Sequence, residues 1–177
     1  MNKAGLTIIV ADDDSDDRML IDDAFQESRL ANPLVFVENG EQLLQCLRGE
    51  GKFANGNAAQ RKPGLILLDL NMPKMDGRTA LAHLKADPEL RRIPVIVLTT
   101  SKAEEDVFRT YDLGVNSFIT KPVSFEALVD VVRTLNHYWI EIVQLPNAQA
   151  AEVKRLPERN RLPDATNPDR LPIERQA

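Results

Sequence analysis

Acidic side chains directly follow two short apolar segments of the chain. Asp12 and Asp13 come after residues 6–11, and Asp69 comes after residues 65–68. Such segments are typical of strands buried on both faces of a parallel sheet, where ligands bind beyond the carboxyl ends of the strands. If the two strands are neighbours, the three carboxylates converge, and a cation is needed to relieve their repulsion. Oxygen ligands of this kind favour Mg²⁺.

Two later apolar segments end in groups that complement the acidic cluster. Residues 95–98 lead into three hydroxyl side chains, Thr99, Thr100 and Ser101. Residues 115–119 lead into Thr120, Lys121 and Pro122, of which the lysine supplies a cation. Either group alone would fit an ordinary surface position. Together with the carboxylates they describe a phosphoryl-transfer site, in which a metal ion and a lysine neutralise the phosphoryl oxygens while a carboxylate attacks phosphorus in line.

The acidic run at residues 12–17 has a second interpretation. Negative side chains at a helix N-terminus are stabilised by the helix dipole. This accounts for Asp14, Asp16 and Asp17, which we assign to capping and first-turn charge. It accounts less well for Asp12 and Asp13, because they extend directly from a buried strand.

Five apolar segments alternate with helical patterns, which is typical of a parallel sheet flanked by helices. The predicted strands are residues 6–11, 34–37, 65–68, 95–98 and 115–119. Asn39 and Ser101 each begin a capping-box spacing, Ser124 is a predicted N-cap, and Pro88 and Gly114 mark helix ends. The crossovers must be right-handed. We therefore predict an α/β fold, a flavodoxin-like doubly wound (βα)₅ domain whose five-stranded parallel sheet has the order 2-1-3-4-5.

Two segments depart from a minimal domain of this type. Residues 49–62 are polar and rich in glycine, which predicts a surface loop longer than most connections. From residue 146 onward the pattern stops and an Arg-Leu-Pro triplet occurs three times, at residues 155–157, 161–163 and 170–172. Frequent prolines exclude a regular helix or an interior strand. The organisation is therefore a domain at residues 1–145 and a Pro- and Arg-rich C-terminal arm at residues 146–177.

The composition of the chain argues against several classes of protein. The net charge of −5 argues against a nucleic-acid binder, which needs clustered cations to neutralise phosphates. The single cysteine, Cys46, allows no internal disulfide and fits a reducing compartment. No apolar segment approaches the ~20 residues that cross a bilayer, and no signal peptide precedes the first strand. We expect a cytoplasmic protein that binds neither nucleic acid nor membrane.

Over residues 6–140 the chain resembles the receiver domains of two-component response regulators. The matching strings are Ile-Val-Ala-Asp-Asp at 9–13, Leu-Leu-Asp-Leu-Asn-Met-Pro-Lys-Met-Asp-Gly at 67–77, Pro-Val-Ile-Val-Leu-Thr-Thr at 94–100 and Phe-Ile-Thr-Lys-Pro at 118–122. Their order and spacing make an accidental match very improbable. The resemblance implies a phosphoacceptor that receives its phosphoryl group from a sensor histidine kinase and that catalyses only its own phosphotransfer and dephosphorylation.

The resemblance also assigns roles to individual residues. Asp69 would be the phosphoacceptor, and Mg²⁺ would be held by Asp12, Asp13, Asp69 and the backbone carbonyl of Asn71. Lys121 would bond the phosphoryl group, aimed inward by a cis bond to Pro122. Thr99 would be the switch hydroxyl and Phe118 its aromatic partner, although many receivers have tyrosine there. Thr100 lies beside Thr99, and the rate of hydrolysis would depend on Asn71 and Ser101.

Features outside the site resemble a subfamily. The loop at 49–62, the string at 98–101 and the ending at 138–146 look like the phytochrome-associated single-domain response regulators, which implies a red-light-sensing histidine kinase as partner. The alternative is a stand-alone receiver that serves another hybrid kinase or phosphorelay. Signalling would pass through a conformational switch, and would leave the domain by a protein contact on the face of Thr99 and Phe118 or by a change in a dimer.

The last predicted helix suggests self-association. One apolar stripe packs it on the sheet, and beyond that stripe apolar side chains cover most of its circumference: Tyr138, Trp139, Ile140, Ile142, Val143 and Leu145. A monomer would leave part of this surface exposed. We predict a symmetric homodimer through this helix and the C-terminal arm. In the alternative, the helix bends back and the arm covers the patch within one chain.

Two other functions would fit part of this set of residues. A haloacid-dehalogenase-type phosphatase also combines a nucleophilic aspartate, Mg²⁺ and a lysine, but it places an acid two residues after the nucleophile, where this chain has Asn71. It also carries a capping domain that is not evident here. A receiver-like module that is never phosphorylated would lack an acidic or lysine residue of the site, and none is missing.

Overall fold

In the computed structural model, residues 6–55, 63–101 and 103–142 are described, except for the side chains of residues 104 and 140–142. Five parallel strands form one sheet in the order β2-β1-β3-β4-β5, which confirms the predicted doubly wound fold. The strands are β1 (Ile8–Ala11), β2 (Leu34–Val37), β3 (Leu65–Leu68), β4 (Val95–Thr99) and β5 (Ser117–Thr120). Four predicted strand starts or ends, those at residues 6, 98, 115 and 119, differ by one or two residues from these bounds.

A helix follows each strand. The helices are α1 (Ser15–Glu27), α2 (Gly40–Arg48), α3 (Gly77–Ala86), α4 (Glu104–Asp112) and α5 (Phe125–Leu135). Short 3₁₀ turns cover Gly51–Phe53 and Leu90–Arg92, and a π-helical segment, Asn136–Ile142, extends α5. No described helix has the length and apolar character needed to pass through a membrane.

The sheet has a hydrophobic core on each face, because successive strand residues point to opposite sides. On β1, Ile9 and Ala11 pack with the buried side chains of α2 and α3, whereas Ile8 and Val10 pack with those of α1 and α5. All four β1 residues and all four β3 residues are buried. The carboxyl ends of these two strands are therefore held firmly by packing on both sides.

Several predicted helix signals are confirmed. The side chain of Asn39 accepts a hydrogen bond from Gln42 N at 3.0 Å, and that of Ser124 accepts one from Ala127 N at 3.2 Å. Helix α3 ends before Asp87, the residue that precedes Pro88. Gly114 follows the C-terminus of α4 with φ of 87°, a conformation that glycine adopts without strain.

The predicted capping box at Ser101 is wrong. Helix α4 begins later, at Glu104, and Ala103 at its N-cap position makes no side-chain capping bond. The hydroxyl of Ser101 instead donates to Asp106 Oδ2 at 2.6 Å. The same hydroxyl oxygen accepts from Ala103 N at 3.4 Å, so the backbone amide it meets lies before the helix rather than in its first turn.

The C-terminal part of the domain is only partly open to solvent. Trp139 is buried and belongs to the core beside α1 and α5, whereas Tyr138 is 53% exposed. The two rings meet edge to face with centroids 5.3 Å apart. The side chains of residues 140–145, residues 56–62 of the long loop and the arm at 146–177 lie outside the described residues.

Candidate functional site

Strand register brings the acidic residues of β1 and β3 together. Ala11 pairs with Leu68, and Asp69 N donates to Ala11 O at 2.9 Å, so the residues that follow each strand are neighbours. Carboxylate oxygens of Asp12, Asp13 and Asp69 lie within 4.8 Å of one another. Asp12 and Asp69 are buried and Asp13 is exposed. The convergence predicted from the two apolar segments is therefore present.

Lys121 reaches the same point from β5. Its backbone N donates to Thr99 O at 2.8 Å, and its ammonium Nζ lies 2.6 Å from Asp12 Oδ2 and 2.7 Å from Asp69 Oδ2. A third carboxylate, Asp17 Oδ2, is also 2.6 Å from Nζ. Since an ammonium has three donors, all of them are in use.

The expected cis bond between Lys121 and Pro122 is absent, because none of the described peptide bonds is cis. The trans form is the more stable one for most bonds that precede proline. Lys121 still points into the site, held there by its three carboxylate contacts rather than by the isomer of the peptide bond.

The two oxygens of each buried carboxylate have different partners. Asp69 Oδ1 accepts from Thr99 Oγ1 at 2.7 Å and from Asn71 N at 3.1 Å. Asp12 Oδ1 accepts from Asp14 N at 3.1 Å. In both residues Oδ2 is bonded to the lysine ammonium. In each residue, one oxygen is thus held by neutral donors and the other by the lysine ammonium.

Burial and charge shift the acid–base properties of the site. Burial raises the pKa of Asp12 to about 6; the charge of Asp69 adds to this shift, and the hydrogen bond from Lys121 opposes it. For Lys121, burial disfavours the charged form, but bonds to Asp12, Asp17 and Asp69 outweigh it and raise the pKa. The lysine is therefore a permanent cation, while Asp12 can titrate near neutrality.

The donor set fits a divalent cation. Three carboxylates supply hard oxygen ligands within a small volume, which is what Mg²⁺ or Mn²⁺ requires. One positive charge from Lys121 is shared among several carboxylates, so the site retains net negative charge. Because Asp13 is exposed, the cluster is open to solvent on that side, and an ion can enter there.

The remaining predicted residues lie around this centre. Thr99 is fully buried, and Phe118 is half-buried and packs against the core shared by α2 and α3. Asn71 and Thr100 are exposed, and Pro122 is half-buried. The predicted hydroxyl and aromatic residues lie on the neighbouring strands β4 and β5, two residues apart in register, since Val97 pairs with Phe118 and Thr99 pairs with Thr120.

Sequence reasoning missed the second role of Asp17. We assigned it to first-turn charge, which is where it lies, and its carboxylate also binds Lys121. The available signal was only its position in the first turn of the helix that directly follows the β1 carboxylates.

A hydrogen-bonded network beside the site was also missed. Arg78 on α3 binds Asp106 on α4 through two bonds, Nε to Oδ1 at 2.7 Å and Nη2 to Oδ2 at 2.6 Å, and Ser101 shares the second oxygen. The bonds from Arg78 and Ser101 lower the pKa of Asp106 to about 2. Arg78 and Asp106 are 28 residues apart, and no local pattern reveals such a pair.

Gly77 fixes the distance between β3 and the start of α3. A Cβ at this position would lie 2.1 Å from the carbonyl oxygen of Asp69 and 2.8 Å from Leu70 Cα. Gly77 N donates to Leu70 O at 3.0 Å. Only glycine allows the helix to begin so close to the backbone of the central aspartate.

Comparison with known proteins agrees with this geometry. Residues 8–133 match the response regulator receiver domain. The chain belongs to this family. Receivers are phosphoacceptors of two-component signalling rather than enzymes that turn over a free substrate, so the dehalogenase-type alternative does not apply.

Individual receivers are similar over most of the chain. Response regulator Rcp1 of Synechocystis is 38% identical over 141 residues, which cover 80% of this chain and 93% of Rcp1. The crystal structure of the phosphorylated cyanobacterial phytochrome response regulator RcpA has 41% identity and a TM-score of 0.74, covering 81% of this chain and 99% of RcpA. The Mn²⁺-bound form of Rcp1 has 37% identity and a TM-score of 0.72, covering 80% and 99%.

Proposed function

We propose that Asp69 accepts the phosphoryl group from a phosphohistidine of a sensor histidine kinase. One oxygen of Asp69 forms a bond to phosphorus as the nitrogen–phosphorus bond breaks, and the histidine nitrogen keeps the electron pair and takes up a proton. The observation that carries the proposal is the meeting of Asp69, Lys121 and Thr99, with contacts of 2.7 Å each to the aspartate. Lys121 then neutralises phosphoryl oxygens, and Thr99 supplies a hydroxyl to them.

Asp12, Asp13 and Asp69 would hold a divalent cation at this site, together with the backbone carbonyl of Asn71. When bound, the cation offsets negative charge that builds up on the phosphoryl oxygens during transfer. Mg²⁺ is the ion we assign, because it is the divalent metal that phosphoryl-transfer sites with few carboxylates commonly use. The Mn²⁺-bound form of Rcp1 supports a divalent ion in a similar receiver.

Phosphorylation would be read out on β4 and β5. Thr99 donates to Asp69 Oδ1 in this structure, and a phosphoryl group on Asp69 offers it oxygens further out. Thr99 and the half-buried Phe118 would shift together, which changes the surface near Thr100 and Ser101. Hydrolysis of the phosphoryl group would depend on Asn71 and Ser101, which flank the aspartate and the threonine.

A phytochrome-type histidine kinase is the partner we propose. The support is that Rcp1 and RcpA are similar to this chain over nearly their full length, and RcpA is a phytochrome response regulator. The kinase domain and the receiver would meet in the cytoplasm. Phosphotransfer profiling against purified histidine kinases of one organism tests this, with the initial transfer rate as readout. Faster transfer from a kinase of another class would assign the receiver to that kinase.

We also propose a symmetric homodimer through the end of α5 and the C-terminal arm. Tyr138 is half exposed beside the buried Trp139, which leaves an aromatic edge at the surface. Light scattering is compared for the full chain, for a chain ending near Gln144 and for Tyr138→Ser. We expect a dimer that weakens in both variants; a monomer in all three contradicts the proposal. Nucleic acid is not an expected partner, given the net charge of −5.

Acetyl phosphate provides the direct test of the phosphoacceptor. The chain is incubated with Mg²⁺ and acetyl phosphate, and intact mass is measured before and after treatment with hydroxylamine, which cleaves acyl phosphates. We expect one phosphoryl adduct that requires Mg²⁺ and is absent from Asp69→Asn. Asp23→Asn, which removes an exposed carboxylate from α1, is the control and should be modified normally. An unmodified wild type would indicate a receiver-like module that is never phosphorylated.

A further inference from the structure

Among the residues that the structure describes, Asp17 is the one carboxylate bound to Lys121 that does not belong to the candidate metal group. The lysine ammonium contacts Asp12, Asp17 and Asp69, whereas the metal group consists of Asp12, Asp13 and Asp69. Asp17 belongs to the first turn of α1 rather than to a strand end. Its side chain is 32% exposed, compared with 2% for Asp12 and 7% for Asp69.

Lys121 and a divalent cation would draw on the same two buried carboxylates, Asp12 and Asp69. Each buried carboxylate uses Oδ1 for neutral donors, so its Oδ2 is the oxygen with a charged partner, and that partner is the lysine. A cation that takes these oxygens has to displace the ammonium from Asp12, from Asp69 or from both. The displaced ammonium is buried, with 11% of its side chain exposed, and a buried charge needs another partner.

Asp17 is placed to be that partner. Its Oδ2 is already 2.6 Å from Nζ and lies outside the metal group, so this contact can persist when the other two are lost. We propose that Asp17 is a positioning residue that holds Lys121 at the edge of the site and so limits competition between the lysine and the metal ion. The inference rests on the proposed function, because it concerns metal binding at the same carboxylates.

The proposal differs from a simple effect of charge. If Asp17 acted only by attracting the cation through space, its effect on metal affinity would be the same whether or not Lys121 was present. A carboxylate that holds the lysine away makes the repulsion from Lys121 depend on Asp17. The effects of the two residues on metal affinity are then coupled, and a double-mutant cycle detects this.

The test measures the affinity for Mn²⁺ from the electron paramagnetic resonance signal of the free ion. The four proteins of the cycle are wild type, Asp17→Asn, Lys121→Met and the double variant. We expect Asp17→Asn to weaken binding roughly three- to tenfold more when Lys121 is present than when it is methionine, a range typical of coupling within one charged network. Asp16→Asn, an exposed carboxylate of the same turn, is the matched control and should have the same small effect in both backgrounds.

A second measurement does not require the lysine variants to fold. The side-chain Nζ resonance of Lys121 is followed by ¹⁵N NMR in wild type, Asp17→Asn and Asp16→Asn, with and without Mg²⁺. We expect Asp17→Asn to shift this resonance and Asp16→Asn to leave it in place. Equal effects of Asp17→Asn in both lysine backgrounds, or an unchanged resonance, would overturn the proposal. Wild type that binds no Mn²⁺ would overturn the proposed function as well.

Discussion

Thr99 donates its buried hydroxyl to Asp69 Oδ1 at 2.7 Å, on the opposite side of the carboxylate from Lys121. This bond joins the C-terminal end of β4 to that of β3. It means that, before any phosphoryl group is present, the threonine side chain is already oriented by the residue that we propose as the phosphoacceptor. The same hydroxyl oxygen lies 3.4 Å from Ser101 N, at the start of the segment leading to α4.

Removing this hydroxyl is expected to destabilise the domain. In Thr99→Val the shape is retained but Asp69 Oδ1 loses a donor, and we expect the free energy of unfolding to fall by about 1–3 kcal/mol, the range for a lost hydrogen bond to a buried charged group. Urea unfolding at pH 7 measures it. Thr99→Ser keeps the donor and is the control; a serine variant less stable than the valine variant would contradict the prediction.

Binding of Mg²⁺ is expected to release protons below neutral pH. Because the pKa of Asp12 is about 6 in the folded protein, about half of this carboxyl is protonated at pH 6, and binding should release about half a proton per ion. Calorimetry in two buffers of different ionisation enthalpy measures the release. Asp16→Asn removes an exposed carboxylate outside the metal group and should retain the release, whereas no release in wild type would place the pKa of Asp12 well below 6.

The raised pKa of Asp12 also makes the free energy of unfolding depend on pH. The pKa of Asp12 is raised above its ordinary value of 3.8, so the folded state binds the extra proton between about pH 4 and 6. The contribution of Asp12 to stability is therefore present at the acidic end of this window and is lost as the pH rises through 6. We expect stabilisation by Mg²⁺, measured as a rise in Tm, to be larger at pH 7 than at pH 5. A rise that is equal at both pH values would contradict this.

The pair between Arg78 and Asp106 is expected to stabilise the contact between α3 and α4. Asp106→Asn should lower the free energy of unfolding by about 1–2 kcal/mol at pH 7, since both charged bonds are weakened and the pair is partly exposed. The pKa of Asp106 is lowered to about 2, so this contribution is present above pH 4 and is lost as the pH falls toward 2. Urea unfolding between pH 2.5 and 7 measures both effects.

Glu105→Gln is the matched control on the same helix. Glu105 pairs with Arg109 at 3.5 Å, and both side chains are mostly exposed. The change in stability should stay within a few tenths of a kcal/mol, as for most exposed pairs. Equal effects of Glu105→Gln and Asp106→Asn would show that the two-bond geometry of the pair between Arg78 and Asp106 contributes nothing.

Gly77→Ala is expected to be far more damaging than Gly114→Ala. The first adds a methyl group 2.1 Å from the Asp69 carbonyl oxygen, so backbone must move, with a cost of about 2–4 kcal/mol or loss of folding. The second meets its nearest atom, in Lys85, only at 3.9 Å, and costs about 1 kcal/mol for a positive φ. Thermal unfolding compares them, and similar losses would contradict the close approach at Gly77.

The sequence was sufficient to predict the sheet and the meeting of its strand ends. Apolar segments of four to six residues identify buried strands, and parallel strands end at one edge, so Asp12, Asp69 and Lys121 had to approach one another. Which atoms they use depends on side-chain orientation, which no pattern encodes. Asp17 fits an N-terminal turn equally well whether its carboxylate faces solvent or Lys121, and only packing decides between the two.

Contacts between distant segments were beyond sequence reasoning for a similar reason. Ser101 has the spacing of a capping box, but its hydroxyl binds Asp106 because Arg78 from another helix holds that carboxylate nearby. The burial of Trp139 also depends on tertiary structure and could not be predicted from the sequence. An amphipathic pattern does not indicate at which residue a helix stops packing against the sheet. In the structure the core extends one turn beyond α5 and includes the ring of Trp139.

The burial of Trp139 gives the protein an optical probe of its own. It is the single tryptophan of the chain, it packs beside α1 and α5, and Tyr138 meets it edge to face. Indole emission therefore reports on whether the end of the last helix stays docked, and any agent that loosens this segment should shift the spectrum to longer wavelength. Loosening of this segment can thus be followed by fluorescence without attaching a dye.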